Sequence, residues 1–390
     1  MFSQNVIKKS QFDEQVTVSK SQIINLKSIY GISALRDVVD TEGSATVTNE
    51  SGEYKLTTTA NGADKAILES AEQGRYYSGQ DALAGVGVRL SSIPTGSQSA
   101  RWGYYDDNNG FGFGRDADGL FVFDRTGATE TKVYQQDWNN DKADGTGPDG
   151  VNLNMMDGLI YEINFTWYGY GTIAFNLVYF DNVKKRQGTI IVHRIRKTGS
   201  VSIEDPNLPL RAEIDNGGSA TAFDSLYIGG RQFTTFGVPA NPRRITSERR
   251  TGVTGIGTTF VPLVSFRRKE VFESVSVKIN GIDVITDFDA IVEVRFNPTL
   301  TGASFGNVTN TTPNETAIES DTSATAITGG ELVYSFIVSA TGAGAQARGS
   351  ATVPLIEQDF VRMQPVSVAI RRITGEDGTA SCVFRIAEEW

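Results

Sequence analysis

Apolar and polar residues alternate along most of this chain, which is the period of a half-buried strand. From 159 to 167, Leu159, Tyr161, Ile163, Phe165 and Trp167 fall on one parity, with Glu162, Asn164 and Thr166 on the other. Tyr168-Gly169-Tyr170-Gly171 then turns the chain, and Ile173, Phe175, Leu177 and Tyr179 resume the alternation. The pattern predicts a long antiparallel hairpin. Further strands are predicted around Gly119–Arg125, Thr189–His193 and Leu226–Gly229.

A second block starts near Phe236. Residues 271–279 alternate strongly, and Asn280-Gly281 follows, the residue pair most typical of a two-residue hairpin. The return strand is expected to begin at Ile282. Val292, Val294 and Phe296 form another apolar face, as do Leu332, Tyr334, Phe336 and Val338. Val366, Val368 and Ile370 repeat it, and Cys382, Phe384 and Ile386 close the chain. Between them, residues 297–330 are rich in Ser, Thr, Asn and Ala. This stretch reads either as a long contact loop or as a pair of weak edge strands.

Residues 1–45 settle into neither a period of 2 nor one of 3.6. Too apolar for a free tail, this stretch is expected to be an extended docking arm with one short helix. The organisation expected is all-β: the arm at 1–45, a large antiparallel sandwich at 46–235 and a smaller sandwich at 236–390.

Composition agrees. At 390 residues the chain exceeds what one core serves, so two or three domains are expected. The 41 glycines sit at turns between β-rich runs. A net charge of -10 argues against nucleic acid as a partner. No apolar run approaches the roughly 20 residues of a membrane-spanning helix, so no membrane is expected. The start, Met1-Phe2-Ser3-Gln4-Asn5, lacks the basic-then-apolar pattern of a leader, so secretion by the usual route is not expected.

Candidate chemistry is sparse. Cys382 is the single cysteine and shares a strand face with Phe384 and Ile386, so it reads as a small core residue. His193, the single histidine, follows Ile190-Ile191-Val192 and reads as structural. Their scarcity removes most nucleophilic and transition-metal chemistry. Carboxylate pairs survive this filter, but Asp106 and Asp107 precede Asn108, and Asp116 and Asp118 precede Gly119, in short segments that read as turns. No enzyme is expected.

Four segments in order look familiar. They are Arg101–Gly114, with Trp102-Gly103-Tyr104-Tyr105 and Gly110-Phe111-Gly112-Phe113-Gly114; Gln136–Gly150, with Asp137-Trp138-Asn139-Asn140-Asp141; Ile163–Gly171; and Asp205–Glu213. Together they resemble a module of tailed-phage virion structural proteins, over roughly Arg101 to Gly230. That resemblance implies a lectin-like, jelly-roll type sandwich, no known catalysis and a location in the virion. The part implied is tail, baseplate, fibre or capsid surface, with copies of itself and other virion proteins as partners. The rival reading is a receptor-binding module for host surface glycans.

Three residue sets are candidates for contact. Asp137, Asn139, Asp141 and Asp144 place oxygens at spacings a calcium loop uses. Lys142 stands where the turn glycine belongs and Pro148 where the closing glutamate belongs, so the competing reading is an Asx-turn loop and no cofactor. Tyr168 and Tyr170, in a turn, suit a glycan or a protein partner. Residues 241–270 hold Arg243, Arg244, Arg249, Arg250, Arg267, Arg268 and Lys269 against Glu248 and Glu270. In an acidic chain this set is expected to form a subunit interface.

Overall fold

The computed structural model describes residues 20–181, 185–237, 243–340, 347–352, 360, 363–375 and 377–390. The chain divides into two compact units, Met1–Ala240 and Asn241–Trp390. Both are antiparallel β-sandwiches, so the all-β expectation holds.

In the first unit the early strands are β1 (Lys20–Leu26), β2 (Asp37–Glu42), β3 (Thr46–Glu50), β4 (Glu53–Thr57) and β5 (Lys65–Ser70). Next come β6 (Ala82–Leu90), β7 (Ser99–Tyr105), β8 (Gly110–Asp116), β9 (Leu120–Thr126) and β10 (Thr129–Tyr134). The last are β11 (Leu159–Phe165), β12 (Ile173–Asp181), β13 (Arg186–Ile195), β14 (Leu210–Asp215) and β15 (Leu226–Phe236). One sheet runs β13-β12-β11-β6-β15-β4-β3, with β1 also on β15. The other runs β10-β9-β8-β7-β14-β5-β2. Successive strands cross between sheets from β4 to β5, β6 to β7 and β14 to β15, the connectivity of a jelly-roll type sandwich.

Aromatic rings fill the space between these sheets. Trp102 meets Tyr161 edge-on at 5.0 Å between ring centres, and Phe113 meets Tyr161 at 4.9 Å and Phe175 at 5.4 Å. Tyr104 stacks on Phe165 and Phe233. The predicted hairpin is present, with Phe165 opposite Ile173 and Ile160 opposite Val178. It turns two residues earlier than the alternation suggested. Trp167 lies past the strand end, half-buried, and donates its indole N–H to the Ile203 carbonyl at 3.0 Å.

The glycines of β8 serve a second, outer layer. A Cβ on Gly112 would lie 2.5 Å from the Phe123 ring, and one on Gly114 would lie 2.3 Å from the Phe121 ring. Their absence lets both rings lie flat on the sheet beside Tyr105, all three fully buried.

The docking arm expected at 1–45 is corrected for its described part. Residues 1–19 lie outside the described residues. From Lys20 onward the segment belongs to the sandwich: β1 pairs with β15, and β2 with β5. A buried Arg231–Asp37 ion pair, with the Tyr54 hydroxyl donating to Asp37, fastens it there. The period was obscured because β1 carries a bulge between Gln22 and Ile24, and β2 is mostly exposed.

In the second unit the strands begin with β16 (Arg243–Ile256), β17 (Val261–Arg268), β18 (Ser276–Thr286) and β19 (Ala290–Phe296). Short pieces follow: β20 (Thr299–Thr301), β21 (Gly306–Asn307), β22 (Ile318–Asp321) and β23 (Ala326–Thr328). The unit ends with β24 (Glu331–Val338), β25 (Ala347–Thr352), β26 (Val366–Arg372) and β27 (Gly378–Glu389). The sheets run β16-β27-β18-β25 and β21-β22-β17-β26-β19-β24, with β20 and β23 paired separately. Phe266 and Phe384, 5.0 Å apart, join the two larger sheets.

The hairpin expected at Asn280-Gly281 is absent. β18 runs straight through, and Asn280 is an extra residue between Ile279, opposite Ile386, and Gly281, opposite Arg385. This bulge switches parity, so Val277 and Ile279 are buried before it and Ile282 and Val284 after it. Pairing with β27 along the whole strand outweighs the local turn preference.

Candidate functional site

The calcium set does not form a cage. Asp141 is buried, and its two carboxylate oxygens accept from the Ala143 N–H at 2.8 Å and the Asp149 N–H at 3.1 Å. Asp144 accepts from the N–H and hydroxyl of Thr146. Asn139 pairs both ends of its amide with the backbone of Arg194, and its own N–H donates to His193 Nδ1 at 3.2 Å. Asp137 closes a short 3-10 turn. Among the described residues no group of three or more His, Cys, Asp or Glu is placed to hold a metal ion. These side chains order the loop, as the Asx-turn reading has it.

His193 therefore acts as a hydrogen-bond acceptor in the core, and burial pushes its pKa below 6.5. Cys382 is buried, and the loss of solvent, helped by the Asp283 charge, raises its thiol far above the usual range. Both have the structural places the sequence suggested.

The arginine set is divided. Arg268 is fully buried and donates to the carbonyls of Val275 and Phe360, and Arg250 donates to those of Pro262 and Ala324. Arg267 is bound to Glu319 at 2.8 Å and lies over the Phe305 ring. The expectation that all six face a partner is corrected for Arg268, which is buried inside its own unit; Arg250 and Arg267, half-exposed, have hydrogen-bond or ion-pair partners within that unit. Strand alternation explains this, since Arg268 lies on the inward parity of β17 with Phe266. Arg249 is exposed and Arg244 half-exposed, both on β16, while only the backbone of Arg243 is described, opposite Glu389.

Tyr168 and Tyr170 stand 55% and 66% exposed at the hairpin turn, so both present their rings outward. The turn is closed by Tyr170 and Gly171 donating to the Trp167 carbonyl, at 2.9 and 2.8 Å.

Three of the acids weighed for hydrolysis, Asp106, Asp107 and Asp116, have partners of their own. Asp106 accepts from the N–H groups of Asn108 and Asn109. Asp116 accepts from Lys132 and the Tyr134 hydroxyl. Burial would raise the Asp116 pKa, but these donors and the Lys132 charge overcome it and leave it lowered.

Sequence alternation missed a charge network over the outer layer of the second sheet. Arg211, buried, reaches Glu213, Glu69 at 3.1 Å and Asp107 at 2.8 Å, and covers the Tyr105 ring. Arg101 and Arg125 share Glu130, and both also cover rings of this layer. Burial opposes the Glu130 charge, but Arg101 and Arg125 outweigh it and hold the carboxyl below its usual value. The sequence signal was the i, i+2 repeat Arg211-Ala212-Glu213, but its cross-strand neighbours are distant in the chain.

A cavity of about 890 Å³ opens beside the loop at 149–158. Its loop wall includes Asp149, Asn152 and Asp157, and Phe180 and Gln187 stand on the strand side. No sequence period marks it.

No protein-family model matches this sequence, and no curated protein sequence matches it. Solved structures with a similar course of chain include a protein of unknown function from Shewanella oneidensis, at 11% identity and TM-score 0.36. That match covers 60% of this chain and 95% of the other. An endo-1,3-beta-glucanase from Streptomyces sioyaensis is similar at 7% identity and TM-score 0.37, covering 56% and 97%. The Emp46p carbohydrate recognition domain is similar at 10% identity and TM-score 0.33, covering 54% and 95%. None of the three assigns an activity or a ligand to this chain.

Proposed function

We propose that this chain is a non-enzymatic structural subunit of a tailed-phage virion, joined to neighbouring copies of itself. The observation that supports this reading is β16. It is a 14-residue strand at a sheet end, and β27 is its only strand partner among the described residues. Natural proteins blunt or cover such edges, because unpaired backbone invites another strand. Here the edge carries Ile245 at 50% exposure and the open Arg249. The occupant this suits is a second copy, whose 46 acids against 36 bases complement the arginines. The ordered motifs at 101–114 and 136–150 support the same reading, because their aromatic and Asx residues build scaffold.

The test is particle incorporation. Arg244→Glu with Arg249→Glu should fold normally, as both side chains reach solvent, yet be missing from assembled particles. Wild-type incorporation of that variant would overturn the joint. A second reading, a receptor-binding module for host surface glycans, draws support from the cavity beside the 149–158 loop.

A further inference from the structure

The cavity in the first unit has a wall, a floor and a chemical character. The wall is the segment from Asp141 to Asp157. It is held as a small ladder: Gly145 N–H donates to the Val151 carbonyl at 2.9 Å, Leu153 N–H donates to the Ala143 carbonyl at 2.9 Å, and Asp144 bridges Asn152. Buried Asp141 ties the far end through Asp149 N–H, and Asn154 caps the 3-10 turn that follows by accepting from Met156 N–H. The N–H groups of Asn140 and Asp141 both donate to Val192 on β13, so the wall is anchored to the sheet it overhangs. The floor comes from β11 and β12, with Ile160 at 39% exposure and Phe180 at 57%. Gln187, opposite Phe180 in the β12–β13 register, closes the strand side.

This lining combines an open aromatic ring with side chains that accept and donate in pairs. Phe180 offers a flat apolar face. Asp149 and Asp157 are exposed and can each accept two hydroxyl protons, while the amides of Asn152 and Gln187 both donate and accept. Hydroxyl groups on a ring with one apolar face need that combination. Among the described residues the lining holds carboxylates but no lysine or arginine, and Lys185, exposed in the β12–β13 turn, is not part of it. A phosphate, sulfate or carboxylate ligand would meet like charge there. The volume lies within the range of small-ligand sites. Because the wall is already hydrogen-bonded to itself and to β13, little ordering cost is left for binding.

We propose that this cavity binds a neutral oligosaccharide, stacked on Phe180 and held through its hydroxyls by Asp157, Asp149, Asn152 and Gln187. The inference rests on the receptor-binding reading and is independent of the joint at β16. It also locates the site away from the Tyr168–Tyr170 turn.

The experiment uses the full chain against an array of neutral and acidic glycans, followed by calorimetry with the neutral oligosaccharide that scores highest. Binding of a neutral glycan is expected. Phe180→Ala and Asp157→Ala should each weaken it at least about tenfold, the cost of one stacking or charge-assisted contact. Tyr170→Ala should leave it unchanged, and thermal melts should show all three variants folded. Binding confined to acidic glycans, no binding at all, or binding lost with Tyr170→Ala and kept with Phe180→Ala would each overturn the proposal. Those outcomes leave particle incorporation untouched, so failure here is distinguishable from failure of the assembly reading.

Discussion

Glu388, in the last strand of the chain, accepts a hydrogen bond from the Ala317 backbone N–H at 2.6 Å. The same fully buried carboxylate accepts from the hydroxyls of Thr246 and Thr316. Three donors from two distant parts of the chain thus meet on one side chain. For the Ser/Thr-rich stretch at 297–330 the sequence admits a contact loop or weak edge strands. The stretch forms short strands, and buried acids hold it down. Glu248 accepts from the Thr309 N–H and hydroxyl and from Ser320, while Lys269 donates to the carbonyls of Pro313 and Thr316.

Removing Glu388 leaves three donors in the interior without an acceptor. Glu388→Ala should therefore destabilise the second unit by about 3 kcal/mol, the usual cost of breaking a buried polar cluster. Amide hydrogen exchange of residues 378–389 across a urea series reads this unit. Thr311→Ala, in the same stretch, deletes a half-buried hydroxyl that bonds only the Val308 carbonyl and should cost about 1 kcal/mol or less. Equal losses for the two would refute the role given to Glu388.

His193 predicts a pH dependence of known sign. Burial holds its pKa below the 6.5 of the unfolded chain, so the unfolded state takes up the proton first as pH falls. Its contribution is complete above about pH 6.5 and declines as pH drops from there toward the folded pKa, with a slope of at most about 1.4 kcal/mol per pH unit. Denaturation midpoints between about pH 5.5 and 7.5 measure it. His193→Gln should flatten that slope, and an NMR titration of the single imidazole should give a midpoint below 6.5.

The turn at Gly171 has no room for a side chain. A Cβ there would sit 1.4 Å from the Thr166 carbonyl oxygen, which is backbone and cannot swing away. Gly171→Ala should cost about 3 kcal/mol through forced backbone displacement. Tyr170→Ala, one residue away and exposed, should stay within about 0.5 kcal/mol. Thermal melts of the two variants decide it, and a silent Gly171→Ala would remove the close approach.

Local alternation carried the strands well where a strand pairs with the next one in sequence across a short turn. The β11–β12 hairpin is the clearest case, since Tyr161, Ile163, Phe165, Phe175 and Leu177 all point inward as their parity requires. It failed at Asn280-Gly281, where the local signal says turn. There β27, about 100 residues on, supplies a pairing surface along the whole of β18, and many ladder bonds outweigh one turn preference.

The sequence by itself determined the all-β character, the division of core and surface along each strand, and the structural standing of Cys382 and His193, because period and scarcity are one-dimensional properties. Tertiary structure alone decided which charges reach solvent. Arg249 and Arg268 look equivalent in a cationic segment, yet one is exposed and the other buried on backbone carbonyls. The cavity beside Phe180 was equally hidden, since its wall and floor come from a loop and from strands on either side of a hairpin. The physical reason is common to both cases: burial and concavity depend on which distant segments pack together, and no local pattern records that.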